Sequence, residues 1–119
     1  MGLTTVHATI STLELPRRKA EDTFLVDTGA GYTVIPYKMV KQLKLEPIKK
    51  QKFSLADGSM VTRSIGHAMI EFDGNKAPST VVLGQRGDEA LLGAVTLENM
   101  EIMVDPFNRK LKPMKLMLG

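Results

Sequence analysis

Hydrophobic positions along the chain recur mostly at every second residue. Val6, Ala8 and Ile10 alternate with His7, Thr9 and Ser11, the period of a strand with one buried face. A basic turn over 16–19 separates this run from a short buried strand at 23–26. One segment changes period. Met39, Val40 and Leu43 sit at helical spacing directly after Pro36, a favoured residue at helix starts, so a short helix is expected over 37–45. Beyond it, 53–55 and 60–62 flank Ala56-Asp57-Gly58-Ser59, and Asp-Gly between strand-like runs signals a hairpin. A second hairpin is expected from 68–72 and 80–83 about Asp73-Gly74-Asn75. A loop over 84–88, the run Ala90-Leu91-Leu92-Gly93, a short helix over 95–99 and a strand at 102–104 follow. A turn at Asp105-Pro106-Phe107-Asn108 and a strand at 111–113 close the pattern. Many short strands, regular turns and at most two short helices describe an all-β barrel or sandwich-like domain.

Composition narrows this mainly by exclusion. The 119 residues make one domain, 1–119, long enough for a single core. Cysteine is absent, which removes disulfides, thiolate nucleophiles and zinc–thiolate sites. His7 and His67 lack metal-ligand spacing with any acidic pair, so surface or sheet-pairing roles are expected, with no metal and no cofactor. The first residues, Met1-Gly2-Leu3-Thr4-Thr5, lack the basic start and apolar run of a signal peptide. Gly2 raises myristoylation, but Val6 stands where that signal wants Ser or Thr. No apolar run approaches the roughly 20 residues of a membrane span. A cytoplasmic protein with no membrane partner is the expectation.

The net charge is +3, with basic residues grouped at 17–19, at Lys49, Lys50 and Lys52, and at Arg109, Lys110, Lys112 and Lys115. Phe and Tyr together number six and Trp is absent. Without a stacking groove these groups read as solvated surface, and no nucleic-acid partner is expected. Met39, Met69 and Met103 are expected in the core, while Met60, beside the first hairpin, suits an adaptable contact surface. The apolar tail 113–119, with Met114 and Met117, either packs at an interface between copies or frays. Asp22, Asp73, Asp88 and Asp105 fall in turn or strand-edge contexts and read as structural.

The segment with chemistry in it is Phe24-Leu25-Val26-Asp27-Thr28-Gly29-Ala30. A buried strand that runs into a carboxylate is unusual, because burying an unpaired charge is costly. Read without a family, Asp27 begins a turn capped by its own side chain, with Gly29 supplying a positive φ. In context the stretch resembles the active-site loop of aspartic peptidases: apolar residues, Asp, Thr or Ser, Gly, then Ala or Ser. The second signature of that family, two apolar residues and Gly opening a short helix, is matched by Leu91-Leu92-Gly93 with 94–99. Between them the hairpin at about 53–64 stands where the family carries its flap, and 66–83 resembles the next hairpin of retroviral-type members. The resemblance, to retropepsin-like peptidases of the single-domain, prokaryotic style, covers essentially the whole chain in order.

One Asp-Thr-Gly in a chain this short implies the retropepsin arrangement, in which two copies related by a two-fold axis pool identical loops. The resemblance implies a closed barrel active as a homodimer. It implies an aspartic endopeptidase acting on a peptide or protein substrate, with Asp27 as the catalytic carboxylate of each subunit. Thr28, Gly29 and Ala30 would support the active-site loop: Thr28 by bonding across the axis, Gly29 by turning tightly with its amide near the carboxylate, Ala30 by lining the cleft floor. Ala56, Asp57 and Gly58 would form the flap tip over substrate, and Leu91, Leu92 and Gly93 would buttress the loop. Two departures stand out. Retroviral members carry Asp after the loop Ala and Arg after the second-signature Gly, commonly as a pair; here the positions hold Gly31 and Ala94. Their joint loss strands no charge, but it touches dimer strength and recognition of the substrate main chain. The alternative is a catalytically silent dimerisation or peptide-binding module on the same fold.

Overall fold

A computed structural model describes residues 4–105 and 107–118. Gly2, Pro106 and Gly119, weighed above as an acylation site, a turn residue and the tail end, lie outside the described residues. The elements are β1 (Thr5–Ser11), β2 (Lys19–Val26), β3 (Thr33–Ile35), α1 (Tyr37–Leu43), β4 (Lys49–Ser54), β5 (Met60–Phe72), β6 (Asn75–Leu83), β7 (Leu91–Leu92), α2 (Ala94–Asn99), β8 (Ile102–Asp105) and β9 (Lys110–Pro113).

The main sheet runs β1-β2-β7-β3-β6-β5-β4, and β5 returns to β1 through Thr9↔Glu71, Ile10↔Ile70 and Ser11↔Met69. Six strands therefore close into a barrel, which leaves no free edge around the ring. β4 stands outside it, paired to β5. Lys49, Lys50 and Lys52 lie on this outer strand, where charge discourages pairing with other chains. The all-β closed-barrel expectation holds, with two short helices. No helix among the described residues is long and apolar enough to cross a membrane.

The barrel core follows from the period-2 pattern. Ala8 and Ile10 of β1, Phe24 of β2, Ile70 and Phe72 of β5, Val81 of β6 and Leu92 of β7 bury their side chains together. Met39 and Leu43 of α1 and Leu97 of α2 plug the same core from outside the ring. α1 starts behind Pro36 and stops at Lys44, whose left-handed conformation (φ 54°) ends it two residues before the expected boundary.

Several expectations need correction. β2 begins at Lys19 inside the expected basic turn, and Thr23 is exposed while Phe24 is buried. The two hairpins share one continuous strand, β5, of 13 residues. Gly66 sits mid-strand because a Cβ there would lie 3.1 Å from the Glu46 carbonyl oxygen and 3.2 Å from Leu83. Met103 is exposed and Met69 half-buried; alternation along β8 turns Ile102 inward and Met103 outward, and Met100 at the end of α2 fills the core instead. Arg18 is not free surface, since its Nε donates to the Leu43 carbonyl oxygen (2.9 Å) at the end of α1.

His7 and His67 are both exposed. His7 is opposite Thr23 and reaches diagonally to Glu21, with Nε2 to Oε1 at 3.6 Å, and His67 faces Thr80 in the β5–β6 register. In the tail, the Met114 amide donates to the Glu101 carbonyl oxygen (2.7 Å), while Leu116, Met117 and Leu118 are exposed.

Candidate active site

Asp27 directly follows β2, and the strand explains its placement. Leu25 and Val26 pair in parallel with Leu91 and Leu92 of β7, and the Asp27 amide donates to the Leu92 carbonyl oxygen (3.0 Å). The carboxylate emerges half-buried from a strand fixed on its β7 side. The chain then turns: the Ala30 amide donates to the Asp27 carbonyl (3.1 Å), and the Gly29 amide donates to Asp27 Oδ1 (2.9 Å). Among the described residues Oδ2 makes no hydrogen bond.

Gly29 serves this turn by close approach. Its φ is not in the left-handed region, contrary to the expected positive φ, but a Cβ on it would stand 3.1 Å from Asp27 Oδ1. Thr28 and Gly29 are exposed and Ala30 is half-buried.

The second signature holds this loop from behind. The amides of Ala94 and Val95 donate to the carbonyls of Ala30 and Gly31 (both 2.9 Å). Gly93 packs so tightly that a Cβ would lie 2.5 Å from the carbonyl carbon of Tyr32 and 2.6 Å from its oxygen. Beneath lies a chain of buried hydroxyls. Thr33 Oγ1 accepts from the Gly93 amide (3.0 Å) and bonds Thr96 Oγ1 (2.6 Å), which bonds Ser79 Oγ (2.8 Å). Gly31 and Ala94, the positions without the retroviral ion pair, thus lie in two segments joined by backbone bonds, Ala94 to Ala30 and Val95 to Gly31.

In front of the loop opens a cavity of about 580 Å³. It is lined by Gly29, Ala30 and Gly31 of the loop, by Val82 of β6 and Leu91 of β7, and by Phe53, Leu55 and Val61 of the β4–β5 hairpin. Tyr32 and Phe53 meet edge to face across it (6.1 Å, 78°), a geometry that aromatic quadrupoles favour. Ala56, Asp57 and Gly58 sit at the exposed hairpin tip and do not line the cavity. The tip is a tight turn. Gly58 takes φ +88°, Leu55 and Ser59 close it, and Asp57 Oδ1 accepts from the hydroxyl and amide of Ser59 (2.6 and 2.9 Å). Those bonds, the hydroxyl's foremost, hold the Asp57 carboxyl below its ordinary value.

Residues not singled out for function also reach the cavity. Arg63 on β5 donates to Asp88 through two parallel bonds, Nε to Oδ2 (2.6 Å) and Nη2 to Oδ1 (2.9 Å), and both side chains line the cleft. Asp88, expected to be a structural turn residue, also accepts from the Gln85 amide (2.8 Å). Its turn role stands, with a second role in the cleft wall. Nothing in the sequence joins two residues 25 positions apart. Among the described residues no group of His, Cys, Asp or Glu is arranged to hold a metal ion.

A closed barrel with its Asp-Thr-Gly turn stitched to a short helix, facing a cleft under a hairpin, places the chain in the retropepsin-like class of aspartic peptidase folds. Residues 18–99 match the model of the family described as "gag-polyprotein putative aspartyl protease", and the chain belongs to that family. Among solved structures it is similar to the solution structure of simian foamy virus (mac) protease, with a TM-score of 0.53 and 18% identity over 80% of this chain and 92% of that one. No curated protein sequence matches the chain.

Proposed function

We propose that the chain is an aspartic endopeptidase that works as a homodimer, with one Asp27 from each subunit forming the catalytic pair. The observation that carries this reading is the state of Asp27. It is half-buried on a loop fixed at both ends, with Oδ1 aligned by the Gly29 amide and a cleft opening beside it. The exposed loop tip at Thr28 and Gly29 leaves room for a symmetric partner.

Two identical carboxylates in hydrogen-bond reach cannot both ionise, so the pair retains one proton, as is general for aspartic peptidases. The ionised member takes a proton from a water held between them. The protonated member donates to the carbonyl oxygen as the water oxygen bonds to the carbonyl carbon. The resulting diol collapses when the amide nitrogen is protonated and the C–N bond breaks. No acyl-enzyme forms. In this reading Thr28 bonds across the axis, Ala30 lines the cleft floor, Leu91, Leu92 and Gly93 brace the loop, and the β4–β5 hairpin with Ala56, Asp57 and Gly58 at its tip closes over extended substrate as a flap.

The test is hydrolysis of a diverse peptide mixture between about pH 4 and 7, the range in which a shared-proton pair operates, by wild type and Asp27→Asn. Cleavage by wild type alone, blocked by a statine-containing peptide, supports the reading. Asp27-independent products, or none from demonstrably dimeric protein, would replace it with a peptide-binding module.

A further inference from the structure

β5 changes partners along its length. Residues 64–72 pair with β6, but 60–63 pair only with β4. The hairpin arm therefore projects past the barrel and roofs the cleft with strand bonds only to itself. Leu55 and Met60 near its tip are exposed and Phe53 and Val61 farther back are only half-buried, so apolar burial holds the outer arm weakly. Two side-chain contacts tie the arm back. One is the Tyr32–Phe53 edge contact. The other is Arg63–Asp88, the one side-chain hydrogen-bonded link from the arm to the rest of the protein among the described residues.

That link is built for rigidity. The two bonds are parallel and short, the geometry that makes Arg–carboxylate pairs directional. Arg63 Nη1 also donates to the Thr62 carbonyl (3.0 Å), and Asp88 is held by the Gln85 amide. Both side chains are about four-fifths covered, with exposures of 20% and 23%, so salt screens them less than a surface pair. From Asp88 the chain runs into Ala90, whose carbonyl accepts from Leu25, and then into β7, which holds Asp27. The arm is thus coupled through one ion pair to the strands that carry the carboxylate.

We propose that Arg63 and Asp88 are positioning residues: their ion pair latches the hairpin arm over the cleft and sets the affinity for substrate, without touching the bond that breaks. This rests on the peptidase reading for its consequence, but not for its mechanics. An unlatched arm must be ordered by the substrate itself, and that cost lowers affinity.

The experiment compares wild type, Arg63→Met, which keeps an apolar stem, the near-isosteric Asp88→Asn, and the charge-exchanged Arg63→Asp/Asp88→Arg. Amide hydrogen exchange, read without substrate, should show protection of 49–54 and 60–63 falling roughly tenfold in each single variant, about 1.4 kcal/mol of local opening. Protection in β1 and β2 should not change. Partial recovery is expected in the exchanged pair. On the best-cleaved peptide, KM should rise roughly tenfold in the single variants while kcat stays within about twofold. Unchanged arm protection, or equal loss of protection throughout the barrel, would overturn the latch. A fall in kcat with KM unmoved would overturn its role in affinity. Altered arm protection in a protein that cleaves nothing would leave the latch standing and remove the peptidase reading.

Discussion

Thr33, Ser79 and Thr96 place three hydroxyls in the core, each at most 3% exposed, bonded to one another and anchored at the two ends by the Gly93 amide and the Thr80 carbonyl. Thr96 is the link between the ends, and a buried hydroxyl that loses a partner pays part of its desolvation uncompensated. Thr96→Val should therefore cost about 1–3 kcal/mol in thermal or denaturant unfolding, since both neighbours lose a partner at once. The paired replacement Thr33→Val/Thr96→Val should cost less than the sum of its singles; full additivity would show the hydroxyls are not coupled. Gly93 makes the complementary point in steric form. A methyl there meets the Tyr32 carbonyl at 2.5–2.6 Å, so Gly93→Ala should push the loop aside, destabilise by about 1–3 kcal/mol and broaden the amide resonances of 27–31. An unperturbed spectrum would show that helix and loop are not rigidly joined. Of these residues only Gly93 was legible in the sequence, through the family signature. The three hydroxyl residues are polar positions in strands or a helix, and polar positions ordinarily face solvent. What buries them is barrel closure, which no local pattern encodes.

Among the elements, the β4–β5 hairpin announces itself through Asp57-Gly58, and Gly58 has the positive φ such a turn needs. The extent of β5 was harder to read, because Gly66 looks like a break between two hairpins when it marks a close approach to Glu46 and Leu83 within one strand. The Arg63–Asp88 pair was not legible at all, since Asp88 alone reads as a turn residue and nothing local points to Arg63 as its partner. Its electrostatics nevertheless lead to a definite pH dependence. The guanidinium, chiefly by hydrogen bonding and with help from the Gln85 amide against an opposing effect of burial, holds the Asp88 carboxyl below the usual carboxylate range. A carboxylate with a depressed folded pKa contributes stability that is fully present above its unfolded pKa. That stability is lost as pH falls through the folded pKa. The stability difference between wild type and Arg63→Met should thus be flat above about pH 4 and shrink below it. Denaturant titrations at several pH values measure this directly. A difference that grows on acidification would mean the pair is not the source of the shift.

At the scale of the whole molecule, closure of the barrel through β1 and β5 fixes the geometry of the site. It joins residues about 60 apart in sequence, and those pairings hold β2 in place, from whose end Asp27 projects. Alternation along the strands gave the all-β class, and the family resemblance gave the closed form and the position of the carboxylate. Neither describes the contact between copies, and under the proposed mechanism that contact completes the chemistry, since each chain brings one Asp27. The dependence can be measured by mixing subunits. Asp27→Asn removes one carboxylate and keeps the side chain's shape, so mutant and wild-type chains should assemble at random. Only pairs of wild-type chains would hold the shared proton and the base together. With mutant and wild type mixed equally at fixed total protein and allowed to exchange, activity should fall to about a quarter of the undiluted value, the square of the wild-type fraction. A fall to about one half would mean that each chain acts alone, with a second acid or base supplied from within the same barrel. Since Asp27 Oδ2 makes no hydrogen bond within the described chain, the square law is the expected outcome, and dilution of wild type alone should steepen in the same way once dimers begin to separate.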